Sequence, residues 1–253
     1  MRSEILQQEN NLTASQSSSP GFEALYLTVR ALEKRIYSDE EVRQLPGIAP
    51  THVHYNEWKI RKRSSEKLVN YLGKKNRSLN ILEIGCGNGW LAAKLADIKA
   101  AQVYAMDVNQ TELKQAQRVF AHKKNLQFLG GDFDCRHFIG LKFDVVIFAA
   151  AIQYFSPVKN VLKKVMNCLA DDGEIHLADS NFYTPATVQA AKQRTHNYYA
   201  GMGYPEMAAN YFHHQLSDLD GLSYEILFNP NAIINRLLKI SPFYWIVINK
   251  NNA

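Results

Sequence analysis

The sequence predicts an α/β protein: a mostly parallel, seven-stranded sheet with helices on both faces, a helical section in front, and a helical insertion after the fifth strand. Three observations carry that expectation. From Asn80 onward, apolar runs of strand length alternate with helical stretches, the pattern of parallel strands joined by crossovers. The first run passes into a helix through three closely spaced glycines, Gly85, Gly87 and Gly89. The last two apolar runs, Tyr224 to Phe228 and Phe243 to Ile248, read as an antiparallel pair at the sheet edge.

The front section comes first. Residues 1–20 are rich in Ser, Gln and Asn, too polar to offset the cost of ordering the backbone, and are expected to form a disordered tail. Residues 21–77 read as a helical cap. Leu25, Val29, Leu32 and Ile36 recur at helical spacing, Ser38 and Glu41 make a capping box ahead of Pro46, and about Tyr55 to Leu72 forms a third helix with Trp58, Leu68 and Leu72 inward. Residues 78–253 hold the sheet. Ile81 to Ile84, Val103 to Met106, Leu126 to Leu129, Phe143 to Ala149 and Glu174 to Ala178 are its first five strands, with helices at Trp90 to Ile98 and Gln110 to Ala121. Ser156 is the expected N-cap of the next helix, with Pro157 at its first position and Val158, Val161, Leu162, Val165 and Leu169 as its buried stripe until Asp172-Gly173. Thr184-Pro185 starts the insertion, a lid spanning about 181–222 and rich in Tyr, His and Met.

Composition narrows the function. Hydrophobic residues at 46% and charged residues at 21% are globular values, which exclude a disordered or fibrous chain. Cys86, Cys135 and Cys168 contain no CxxC pair, which argues against structural zinc or a short redox loop. The longest apolar run, Val145 to Ile152, is too short to span a bilayer and the N-terminus has no signal-peptide core, so a cytoplasmic protein is expected. The net charge of +5 is uneven: residues 59–77 carry eight Lys/Arg against one acid. That stretch is either a solvated helix face or a phosphate-binding surface.

The segment Ile81-Leu-Glu-Ile-Gly-Cys-Gly-Asn-Gly89 is the informative one. A buried strand that turns through glycines brings bare backbone against a ligand. The dinucleotide spacing GxGxxG is not met, because the third glycine arrives one residue early, and no GK[ST] marks a P-loop. An acidic residue followed by GxGxG resembles the first motif of the class I S-adenosylmethionine-dependent methyltransferases. The likeness continues with Asp107 at the end of strand two, 18 residues after Gly89, with Gly130-Gly131-Asp132-Phe133 after strand three, and with Phe143 to Ala149 as strand four. It covers about Asn80 to Ala178 and implies a Rossmann-like fold binding S-adenosylmethionine. By that resemblance Glu83 orients the loop or meets the methionine amino group, and Gly85, Gly87 and Gly89 admit the cofactor with Cys86 among them. Asp107, beside Val108, holds the ribose, Asp132 and Phe133 the adenine, and Ala149 offers a carbonyl.

Methyl transfer from a sulfonium needs alignment and exclusion of water more than acid–base help. The [DN]PP[YF] signature of base and amide methylation is absent after strand four, where Ala149-Ala-Ala-Ile-Gln-Tyr-Phe155 stands. Candidate acceptor-binding residues are His52, His54, Tyr55, Trp58 and Arg61 in the front section and Tyr198, Tyr199, Tyr204, Tyr211 and Phe212 in the lid. His213 or His214 is a candidate base and Tyr154 a candidate neighbour of the methyl group. No metal is implied, since the histidines lack a carboxylate at ligand spacing. The expected activity is methylation of a small-molecule O, N or C acceptor. Alternatives are RNA methylation through the 59–77 segment and a cofactor-binding protein without turnover. No membrane partner is expected, and oligomeric state is not legible.

Overall fold

Strand and helix alternate from Leu79 to produce one seven-stranded sheet in the order β3-β2-β1-β4-β5-β7-β6. The structure, a computed structural model, describes residues 20–250; the expected tail lies outside the described residues up to Ser19. The strands are β1 (Leu79–Ile84), β2 (Ala101–Asp107), β3 (Leu126–Gly130), β4 (Phe143–Ala149), β5 (Leu169–Ser180), β6 (Tyr224–Phe228) and β7 (Tyr244–Asn249). β1 through β5 pair in parallel, and β7 runs antiparallel between β5 and β6. The chain winds outward from β1 toward β3 and then returns to place β4 on the other side of β1. This reversal opens a crevice beyond the carboxyl ends of β1 and β4.

Two-residue alternation divides the core between the faces of the sheet. Ile81, Val103, Ala105, Val145 and Ile147 are buried in one cluster. Its helices are α3 (Tyr55–Gly73), α4 (Trp90–Leu95) and α5 (Gln110–Val119). Leu82, Ile84, Met106, Val146, Phe148, Ile175 and Leu177 face the other cluster with Val158, Leu162 and Val165 of α6 (Val158–Met166). On the first face, Trp58 of α3 meets Trp90 edge-on at 5.3 Å and donates its indole N–H to Tyr37 Oη at 2.8 Å.

The front helices form as their sequence predicts, with one difference. α1 (Pro20–Leu32) ends early, because Lys34 takes a left-handed φ of 58°. Val29 is therefore buried whereas Leu32 and Ile36 are exposed. α2 (Asp39–Gln44) is capped reciprocally by Ser38 and Glu41. α1 packs on the lid rather than on the sheet: Val29 joins Tyr199 and Met207 in a small third core, flanked by Phe22, Tyr26, Tyr154 and Tyr211. The insertion expected as a lid holds α7 (Pro185–Gly201) followed by turns at Pro205–Asn210 and Leu216–Leu219, and none of these residues is among those lining the cavity beside the glycine loop.

Two expectations about α6 are corrected. Its N-cap is Pro157, with extended φ and ψ of −68° and 136°, and not Ser156; a proline there loses no hydrogen bond, since its nitrogen precedes the helix. The helix stops at Met166, and Leu169 already belongs to β5, whose register against β4 jumps between Leu169 and Glu174. Asp172-Gly173 thus lies in that irregularity. The cysteine spacing also conceals a long-range pair. Cys135 and Cys168 are disulfide-bonded, and Cys86 is free and buried.

Glu174 fastens the end of α3 to β5. It accepts Lys75 Nζ at 2.7 Å and the His176 ring nitrogen Nε2 at 3.2 Å. Trp245 Nε1–H donates to His176 Nδ1 at 3.1 Å, so the proton of that imidazole sits on Nε2. Burial works against the Glu174 charge, but His176 and Lys75 outweigh it and bring its pKa down to about 2 from 4.5. A depressed carboxylate contributes stability above its unfolded pKa and loses it as pH falls toward the folded value. Wild type is expected to exceed Glu174→Gln in thermal stability at pH 7 by on the order of 2 kcal/mol. The gap closes between pH 4.5 and about 2, as thermal melts across that range will register.

Candidate active site

The crevice is built from the ends of four strands and roofed by a helix. The glycine loop hangs from β2: the amides of Gly85 and Cys86 both donate to Met106 O, at 2.9 and 3.1 Å. Gly85 and Gly87 have φ of 78° and 52°, a region costly for residues with a Cβ. A Cβ on Gly85 would lie 2.6 Å from that of Ala151. Bare backbone is therefore a requirement of the close approach between the β1 and β4 ends. Asp107 closes the loop from below. Its Oδ2 accepts the Gly87 amide at 2.7 Å and its Oδ1 the Asn109 amide at 2.9 Å.

The cavity beside this loop has a volume of about 120 Å³, and Gly85, Gly87, Asp107, Val108, Asp132, Phe133 and Tyr154 all line it. These are the sequence-predicted residues that the fold brings together. Others take different places. Gly89 caps α4 with φ 75°, and a Cβ there would sit 2.5 Å from the Phe128 ring and 2.9 Å from Ala116; it serves helix–sheet packing and is not a cavity residue. Cys86 is buried in the core under the loop. Ala149, partly buried, ends β4 and packs against the core, and Ala150 and Ala151 line the cavity instead. Glu83 is buried beside, not within, the lining.

The two histidines are also elsewhere. His213 Nε2 pairs with Thr195 Oγ1 at 2.8 Å, and its ring lies between Tyr183 and Tyr211. His214 Nε2–H donates to Ile152 O at 3.0 Å. Burial lowers the pKa of both and keeps them neutral near pH 7. They hold the lid rather than face the cavity. The front-section candidates are likewise structural: His54 bonds Glu33 O, His52 packs on Tyr37, and Arg61 pairs with Glu57.

What sequence reasoning missed is the roof. Phe22, Glu23 and Tyr26 of α1 line the cavity opposite the glycine loop. Glu23 ties α1 down by accepting the Thr111 amide and hydroxyl, both at 3.0 Å. Arg30 lies over the Tyr26 ring at 4.8 Å and reaches Tyr154 Oη at 3.4 Å. Asn109 was also missed. It is buried, lines the cavity and caps α5, and its Nδ2 has no hydrogen-bond partner among the described residues. A buried orphan donor costs about 1–3 kcal/mol and is a place for a ligand acceptor.

Buried carboxyl groups are concentrated around the loop. Burial, then the neighbouring Asp107, push Glu83 well above the usual carboxylate range, and its Oε2 also lacks a partner among the described residues. Burial raises Asp107, against three backbone N–H groups that hold it down. Glu112, whose carboxylate lies within 3.4 Å of where a Gly87 Cβ would stand, is pushed up to about 7 by burial and by Asp107, against Arg30. Such a site favours a ligand that brings hydrogen-bond donors and positive charge. Among the described residues, no group of three or more His, Cys, Asp or Glu is placed to hold a metal ion.

Comparison with known proteins agrees with this geometry. Strand order, crevice and glycine loop define a class I methyltransferase fold. Residues 81–173 match the family described as "Methyltransferase domain". A malonyl-[acyl-carrier protein] O-methyltransferase of Acetivibrio thermocellus is 29% identical over 117 residues, 46% of this chain and 41% of the relative. An uncharacterized methyltransferase of Mycobacterium tuberculosis is 30% identical over 106 residues, 42% of this chain and 52% of the relative. The chain thus spans about half or less of the length of these curated relatives. The plantazolicin methyltransferase BpumL, solved with SAH and a desmethylPZN analog, superposes over 98% of this chain and 99% of its own, with a TM-score of 0.57 at 15% identity. Magnesium protoporphyrin IX methyltransferase from Synechocystis PCC 6803 superposes over 81% and 90%, with a TM-score of 0.53 at 17% identity. At these identities the likeness is one of fold.

Two outcomes are expected. Gly89→Ala will lower stability by roughly 2–4 kcal/mol in thermal unfolding, the cost of a left-handed alanine pressed on Phe128. Glu112→Gln tests the buried charge. A carboxyl raised in the folded state contributes stability at low pH that is lost as pH rises from 4.5 to about 7. Wild type should therefore lose on the order of 2 kcal/mol relative to Glu112→Gln across that interval, read as diverging melting temperatures.

Proposed function

We propose that the protein binds S-adenosylmethionine in the β1/β4 crevice and methylates a small organic acceptor at O, N or C. The observation that carries this reading is the pairing of bare backbone at Gly85 and Gly87 with the Asp107 carboxylate on one cavity wall. The Asp107 carboxylate, oriented by backbone N–H groups, faces the cavity as an acceptor for ribose hydroxyls. Asp132 and Phe133 at the β3 end would hold the adenine by edge and face. The orphan Asn109 amide suits a hydroxyl or carboxylate oxygen of the same molecule, and the carboxyl-rich surroundings suit its positive charge.

When bound, S-adenosylmethionine supplies an electrophilic methyl group with a neutral thioether as leaving group. The chain's own part is to align and to exclude water. Phe22 and Tyr26 cover the cavity, and Tyr154 presents its hydroxyl from the β4 side, oriented by Arg30. With His213 and His214 engaged in the lid, an acceptor that is already nucleophilic fits better than one needing an imidazole base. The related malonyl-[acyl-carrier protein] O-methyltransferases act, by name, on a carrier-bound acid, and such an acceptor meets that condition because a carboxylate is nucleophilic without loss of a proton.

Binding of S-adenosylmethionine and its demethylated product, measured by calorimetry, tests the reading. Asp107→Ala is expected to weaken both about tenfold or more, and Asp107→Asn, which keeps one acceptor oxygen, to weaken them less. Equal affinity in all three proteins removes the ribose assignment. Transfer of label from methyl-labelled donor to a cell extract separates an enzyme from a binder without turnover.

A further inference from the structure

Two features stand apart from the crevice: the basic stripe of α3 and the connection between β6 and β7. On α3, Lys59, Lys62, Arg63 and Lys67 recur at helical spacing on one exposed face, with Glu66 the one acid among them. Other basic residues of this run are neutralised: Arg61 by Glu57, Lys75 by Glu174, and Arg77 by Asp144 and Asp172. These four make no ion pair among the described residues. The connection carries α8 (Ile233–Leu237), and its aliphatic side chains point outward: Ile233 is 77% exposed, Ile234 69%, Leu237 76% and Leu238 66%. Arg236 and Lys239 stand among them, and from Ile226 to Ala253 the chain has no Asp or Glu.

The two features adjoin. Lys67 Nζ lies over the Phe228 ring at 5.0 Å, where β6 ends and the connection begins. Arg63 and Lys67 of α3 and Ile240 and Phe243 of the connection line the same cleft. A cationic stripe therefore borders a protruding aliphatic tip. Four neighbouring aliphatic side chains at such exposure mark an interaction surface.

We propose that this face docks the protein peripherally on an anionic lipid surface, with Ile233, Ile234, Leu237 and Leu238 entering the headgroup–acyl boundary and Arg63, Lys67, Arg236 and Lys239 meeting lipid phosphates. One bilayer contact satisfies both chemistries: apolar side chains gain from burial in the interface and cations from the surface potential. RNA answers only the charge. It leaves the aliphatic tip in water, and single-strand readers use aromatic platforms where this tip offers Ile and Leu. The proposal is independent of the cofactor reading.

Co-sedimentation of the full chain with phosphatidylcholine vesicles, with and without phosphatidylglycerol, tests it. Wild type is expected to partition onto the anionic vesicles, and less so as salt rises. Ile234→Glu with Leu237→Glu, and separately Arg63→Glu with Lys67→Glu, should each weaken partitioning about tenfold or more, with melting temperature and S-adenosylmethionine affinity unchanged. Failure to bind anionic vesicles at low salt overturns the proposal. Full binding by the aliphatic double variant overturns it as well, and displacement by single-stranded RNA in that variant assigns the stripe to nucleic acid instead.

Discussion

The Gly87 amide donated to Asp107 is the contact on which the crevice depends. It bends the end of β1 toward β2, so that the loop stands open to the β4 side instead of continuing the strand. The same carboxylate takes the Asn109 amide, which sets the start of α5. One side chain thus fixes the loop, the next helix and one wall of the cavity. The glycines are the complement of that constraint, since Gly85 admits Ala151, just beyond β4, at a distance that no Cβ permits.

Fixing the loop by a buried carboxylate has an electrostatic consequence. Glu83 and Glu112 flank Asp107, and burial raises all three carboxyl groups. Arg30 compensates in part for Glu112 from the roof helix. The roof is therefore more than a cover: α1 carries Arg30 and Tyr26 to the crevice and Glu23 to the α5 terminus. Residual strain of this kind is characteristic of binding sites, which trade stability for readiness to engage a ligand.

Much of this architecture is legible in the sequence because it rests on local rules. Strand alternation gives the sheet, Ser38 with Glu41 gives a helix start, and the glycine run ahead of Trp90 gives the loop. Asp107, which ends β2, and Asp132 and Phe133, just beyond β3, line the cavity because strand ends open into it. The illegible part is long-range. Nothing near Tyr26 says that α1 leaves the sheet for the lid and returns over the cavity, and nothing near His213 says that Thr195 will engage it. Histidines in an aromatic segment read as chemistry, yet burial and hydrogen bonding make them struts. Gly89 misled in a similar way. It shares the motif of Gly85 and Gly87, but Phe128, 39 positions onward, determines its role. The Cys135–Cys168 pair is hidden for the same reason.

A nucleoside is expected to occupy the space between the glycine loop and the Asp107 carboxylate. Crystals grown with S-adenosylhomocysteine examine it directly. The expected density places ribose hydroxyls about 3 Å from the Asp107 oxygens, with adenine against Phe133 and beneath α1. Density for the nucleoside at any other place in the molecule, or a cavity closed by Phe22 and Tyr26 at saturating ligand, would contradict it.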